Sequence, residues 1–140
     1  NGFGSRTHAL LGDLDSVPAD ASFDAATLIG VLHHVPSREA KAALLRQVAD
    51  RLKEGAPFVL ACNHMPYSTQ PLLMKAWGER WRQHGATPDE VEAKLGKILN
   101  GAEPPESEAD VFSLLDASGF IQPKRFFSSL FWGAWVSSKA

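Results

Sequence analysis

Cysteine occurs once in the 140 residues, at Cys62, so no internal disulfide can staple the chain. A lone thiol suits a reducing cytoplasm. Neither sign of charge is in excess: 14 basic side chains face 16 acidic ones, which removes the broad positive field that non-specific nucleic-acid binding needs. No apolar run approaches the length of a membrane span, and no segment joins a charged start to the apolar middle of a signal peptide. Internal repeats and low-complexity segments are absent too. The sequence begins with Asn1 rather than Met, as a processed, cleaved or truncated product would. What remains is 44% apolar and 21% charged, the balance of a globular domain, and the length allows one domain at most.

The rest is organised around residues 22–63. After Asp24 the chain runs without charge through Leu28, Ile29 and Val31 to His33-His34-Val35-Pro36. So continuous an apolar run predicts a strand buried on both faces of a parallel sheet. Ser37 can cap the next helix, and Leu44, Leu45, Val48, Ala49 and Leu52 give it one apolar face. Gly55 falls where a left-handed residue closes a helix, and Pro57 stops any continuation. Phe58 to Cys62 then supplies a second buried strand, which makes a right-handed βαβ unit.

Phe23-Asp24 ahead of that strand, Leu32-His33-His34-Val35-Pro36 after it, and Leu52-Lys53-Glu54-Gly55 ahead of the next one resemble a class I S-adenosylmethionine-dependent methyltransferase. The resemblance covers the back two-thirds of such a domain. It implies a Rossmann-like α/β fold, mostly parallel, that ends in an antiparallel hairpin. In the family's strand order 3-2-1-4-5-7-6, the two strands read above are the fourth and fifth. The first strand with its glycine-rich cofactor loop, and the second with its ribose-binding acid, have no counterpart. Gly2 and Gly4 do not replace that loop, because no buried strand precedes them. The expectation is therefore a fragment, or a chain without an ordered front half, whose fourth strand is an exposed apolar edge open to a second copy.

In chain order, residues 1–5 read as an entry loop and residues 7–11 as a short strand, before a polar turn through Asp13 and Pro18. The resemblance gives Asp13 the adenine amino group and Leu14 the side of the ring; the plain alternative for Asp13 is a local turn bond. Gly30 and Val31 end the central strand, where the resemblance implies contact with the methionine moiety of S-adenosyl-L-methionine. Glycine there also lets a backbone approach a ligand closely or simply turn. Asn63, His64 and Tyr67 come after the second strand at the end where open α/β sheets bind ligands, so they are the substrate-side candidates.

Residues 64–106 read as a helical insertion on that substrate side. One helix comes after Pro71 with Leu73, Trp77 and Trp81 on one face. Another starts at Thr87-Pro88-Asp89-Glu90, a capping box. A third starts at Ser107, and two aromatic strands then run with a turn near Ser129-Leu130. The Ala117-Ser118-Gly119-Phe120 entry fits the family, and Phe131-Trp132-Gly133-Ala134-Trp135-Val136 also resembles the carboxy-S-adenosylmethionine synthases of tRNA wobble modification.

His33 and His34 lack a third ligand at a recognised spacing, and adjacent side chains should point apart, so a metal is not expected. Packing and loop hydrogen bonding are the expected roles, with general base as the alternative. Cys62 ends a buried strand with no adjacent base and reads as a small core residue. The functional expectation is methyl transfer to a small-molecule or tRNA-related acceptor, with no universal catalytic residue and with the fragment itself inactive. The rival is a non-catalytic methyltransferase-like subunit that binds a protein partner through its open edge. A nicotinamide-binding Rossmann domain fits the terminal hairpin poorly.

Overall fold

Ser37 opens the first long helix as its sequence context requires: the hydroxyl accepts the Ala40 N–H at 3.2 Å. The computed structural model describes residues 7–18, 20 and 22–140. Helix α1 (Arg38–Asp50) comes after strand β1 (Ala26–Ile29) and leads to β2 (Pro57–Asn63). Its stripe of Leu45, Val48 and Ala49 is buried against the sheet side of the core. Helices α2 (Pro71–Gln83) and α3 (Pro88–Gly101) pack on each other, and α4 (Glu108–Asp116) lies against α1. Strands β3 (Phe120–Ser129) and β4 (Trp132–Lys139) close the chain as a hairpin.

The sheet order is β1-β2-β4-β3. β1 runs parallel to β2, while β4 is antiparallel to both β2 and β3. Seen in the expected numbering this is 4-5-7-6, so the α/β class and the terminal hairpin are as the resemblance implied. The core fills the angle between this sheet and the α1/α4 layer, with Leu32, Leu45, Phe58, Leu60, Leu115, Phe120 and Trp135 fully enclosed. Phe58 and Phe120 stack with ring centroids 4.5 Å apart and join β2 to β3 across the intervening strand.

The sequence expectations need correction at several points. Residues 7–11 form no strand and are exposed. A strand needs a neighbouring strand to take its backbone bonds, and among the described residues the sheet begins at β1. β1 is not buried on both faces; its residues alternate half-buried and exposed because it is an edge with one face uncovered. Phe23 stands outside it and makes a single parallel bridge to Leu52. That bridge draws Leu52 out of the helix, so α1 ends at Asp50, and Gly55 (φ 73°) shapes the turn into β2 rather than closing the helix. The expected entry loop at residues 1–5, with Gly2 and Gly4, lies outside the described residues. The capping box at Thr87 is present with both of its hydrogen bonds.

Candidate functional site

β1 and β2 end side by side, and the segments leaving the two strand ends make the site. After β1 the chain turns at Gly30, whose φ of 76° disfavours any side chain and whose N–H donates to the Ala61 carbonyl at 2.8 Å. Val31 is exposed, and a 3-10 turn then buries Leu32 and His33. His33 Nδ1 accepts the Asn63 N–H at 3.4 Å, which leaves its proton on Nε2. Burial, with His34 and Lys41 nearby, lowers the His33 pKa to about 4, so its imidazole is neutral. The rings of His33 and His34 do not point apart as expected; they lie 4.2 Å centroid to centroid. Among the described residues no group of three or more His, Cys, Asp or Glu is placed to hold a metal.

The three substrate-side candidates come together as one buried knot after β2. The Asn63 side-chain amide donates to the Tyr67 hydroxyl at 2.9 Å, while its buried Oδ1 has no hydrogen-bond partner among the described residues. His64 Nδ1 donates to the Phe131 carbonyl at 3.1 Å, and its ring stands edge-on to Trp135. Burial lowers the His64 pKa, against the opposing pull of the Phe131 carbonyl and Glu108. Burial raises that of Tyr67, against the Asn63 hydrogen bond. The Tyr67 ring meets Phe131 edge-on at 5.0 Å, with Trp77 behind it. Trp77 and Trp81 are tilted partners at 5.3 Å, part of this packing.

On the other side of β1 lies an apolar groove of about 500 Å³, lined among others by Asp13, Leu14, Leu28, Val31 and Leu44. The structure thus brings three of the four cofactor candidates to one groove, with Gly30 on the strand end beside it. The Asp13 carboxylate accepts the Asp15 N–H at 3.1 Å and caps a short turn, so the plain local bond is made. One bond leaves a carboxylate ample acceptor capacity. A flat apolar body carrying an amino donor fits these residues, which form one wall.

A second cavity, of about 510 Å³, sits between the starts of α1 and α4 and the connection 102–106. That connection is strapped down: Glu103 N–H donates to the His33 carbonyl at 2.8 Å, and Met65 N–H donates to the Pro105 carbonyl at 2.8 Å. Lys41 lines the cavity while only 3% exposed. It is absent from the site residues expected from sequence, although a signal was there. It stands four residues before Leu45 and seven before Val48, on the apolar stripe of α1, where a lysine is out of place. The strap had no comparable local signal.

This sheet, with its open β1 edge and terminal hairpin, has the fold of the C-terminal part of an S-adenosylmethionine-dependent methyltransferase domain. Solved structures carry that likeness. An O-methyltransferase family protein from Burkholderia thailandensis superposes with a TM-score of 0.65 at 14% identity, over 99% of this chain and 37% of its own. An O-methyltransferase family 2 protein from Planctomyces limnophilus, in complex with apigenin, gives 0.60 at 16% identity, over 92% and 33%. Human N-acetylserotonin methyltransferase, in complex with S-adenosylmethionine, gives 0.56 at 19% identity, over 83% and 29%. The chain therefore spans about a third of the length of these proteins. No protein-family model and no curated protein matches it.

Proposed function

We propose that this chain forms the central-strand and acceptor-side part of a methyltransferase that uses S-adenosyl-L-methionine and a small-molecule acceptor. The observation that carries the reading is the meeting of Asp13, Leu14 and Val31 in one groove at the open edge of β1, on a sheet ordered as in that fold. In this reading Asp13 accepts from the adenine amino group, Leu14 packs beside the ring, and Gly30 and Val31 border the methionine moiety. When bound, the sulfonium supplies an electrophilic methyl group for in-line displacement. The chain's task is to hold the two reactants in line and keep water away, which can account for a large part of such catalysis. Asn63, His64 and Tyr67 are the acceptor-side residues, carried with 64–106. Burial lowers the His33 pKa to about 4, which weakens it as a general base in this chain, and its ring accepts the Asn63 N–H. We place the protein in the cytoplasm on the strength of its lone buried thiol.

Calorimetric titration of S-adenosylhomocysteine into this chain tests the cofactor reading. Saturable one-site binding, weakened by Val31→Asp, supports it. Absence of binding removes it for this chain.

The open edge favours a second reading, a non-catalytic subunit that joins a protein partner or a second copy. Ile29 and Val31 are 62% and 41% exposed at that edge, and no charge within β1 protects it. Sedimentation of the wild type against Ile29→Lys separates the two: concentration-dependent association that the lysine abolishes supports the subunit.

A further inference from the structure

Two buried polar side chains, Lys41 and Tyr67, face the second cavity with hydrogen-bonding capacity to spare. Lys41 Nζ donates to the carbonyls of Val35 at 2.7 Å and Ser37 at 3.5 Å, which accounts for two of the three protons of an ammonium. Among the described residues no carboxylate lies within ion-pair distance of it; Glu103 and Asp110 on the cavity rim offset its burial only in part. A cation in the first turn of a helix also opposes the helix dipole, so its own element gives no compensation. The Tyr67 hydroxyl accepts from Asn63, and its own proton has no acceptor among the described residues. Both side chains line the cavity, Lys41 at 3% and Tyr67 at 4% exposure. Buried donors are normally matched, and a buried charge costs more unmatched than any neutral group.

We propose that this cavity binds a small carboxylic acid, with its carboxylate on Lys41 and Tyr67 and its apolar body against Leu99, Pro104 and Leu114. The volume is within the range of small-molecule sites. The charges nearer the rim decide between carboxylate and phosphate. Glu103 and Glu106 are exposed, Glu103 already accepts the Ser37 N–H, and Asp110 is engaged by Arg38. That acidic rim disfavours a dianion and tolerates a single negative charge placed deep beside Lys41. The inference rests on the methyl-transfer reading only for calling this ligand the acceptor; the binding itself stands on the cavity.

The test titrates 4-hydroxybenzoate and its neutral analogue 4-hydroxybenzamide into the ¹⁵N-labelled chain. The acid is expected to bind about ten-fold more tightly, as a charge-assisted pair should, with shifts at Ser68, Leu99 and Leu114. Tyr67→Phe, which keeps the ring, and Lys41→Met should each erase most of that preference by weakening the acid far more than 4-hydroxybenzamide. Equal affinity for acid and amide, shifts outside the cavity, or no binding of the acid at millimolar concentration would overturn the proposal. The acid–amide comparison on the wild type stands even if a variant fails to fold. A chain that binds the acid but not S-adenosylhomocysteine would keep this inference and lose the methyl-transfer reading.

Discussion

The two sides of β2 are built to different standards. Toward β4 the inner face is enclosed, with Phe58, Phe120 and Trp135 at no exposure at all, and only the outer edge strand β3 leaves Ile121, Phe126 and Phe127 in solvent. Toward β1 the same sheet runs out, leaving Phe23, Ile29 and Val31 in solvent above an apolar groove. One polypeptide thus has a finished half, with an enclosed core around β2 and β4, and an unfinished half whose apolar groove calls for cover. Stability and function are separated as a result. The finished half supports the strand ends; the proposed cofactor contacts lie at the unfinished one.

The sharpest break of that contrast is Trp135→Ala. The indole is fully buried, donates to Glu108 at 3.0 Å and supports His64, so its loss should cost about 3–5 kcal/mol in urea unfolding. Ile29→Ala, at the open edge, should stay within about 0.5 kcal/mol. Similar losses at both positions would abolish the distinction.

Acid should weaken the finished half next. His33 titrates at about 4 when folded and at 6.5 when unfolded, so the unfolded chain takes up its proton first. The stability it contributes is complete above pH 6.5 and is lost as pH falls toward 4, by about 2–3 kcal/mol. His33→Gln should flatten the unfolding free energy across that window, and an unchanged slope would show that His33 is not the group responsible.

Gly133→Ala should cost about 1–3 kcal/mol, because a Cβ there would stand 2.3 Å from the Trp135 ring and 3.1 Å from that of His64. The same variant should disturb His64 resonances. Thr87→Ala, which removes the α3 cap far from either half's core, should cost about 1 kcal/mol and leave ligand binding alone. Together these variants rank the molecule from its enclosed core outward.

Much of this order was legible from local chemistry. Ser37, Thr87-Pro88 and Ser107 start helices because their hydroxyls meet free N–H groups within three residues, a relation that needs no distant partner. The hairpin of β3 and β4 was readable from two aromatic runs around one turn. The strand–helix–strand order, and with it the α/β class, came from apolar spacing together with the Ser37, Gly55 and Pro57 signals between the strands.

The rest depended on neighbours far away along the chain. Whether an apolar strand is central or an edge is decided by what pairs with it. Apolar spacing alone read β1 as doubly buried, whereas the strands missing from the family pattern made it the edge that the sheet shows. Lys41 sits on the apolar stripe of α1, but what it faces was decided only when α4 and the 102–106 connection closed over it. Asn63, His33 and Tyr67 became one network because β1 and β2 end side by side, which joins positions 30 residues apart. Helix caps are short-range bonds between residues that cannot avoid each other. Burial, edge exposure and unmatched donors belong to a surface that exists only once distant segments have met.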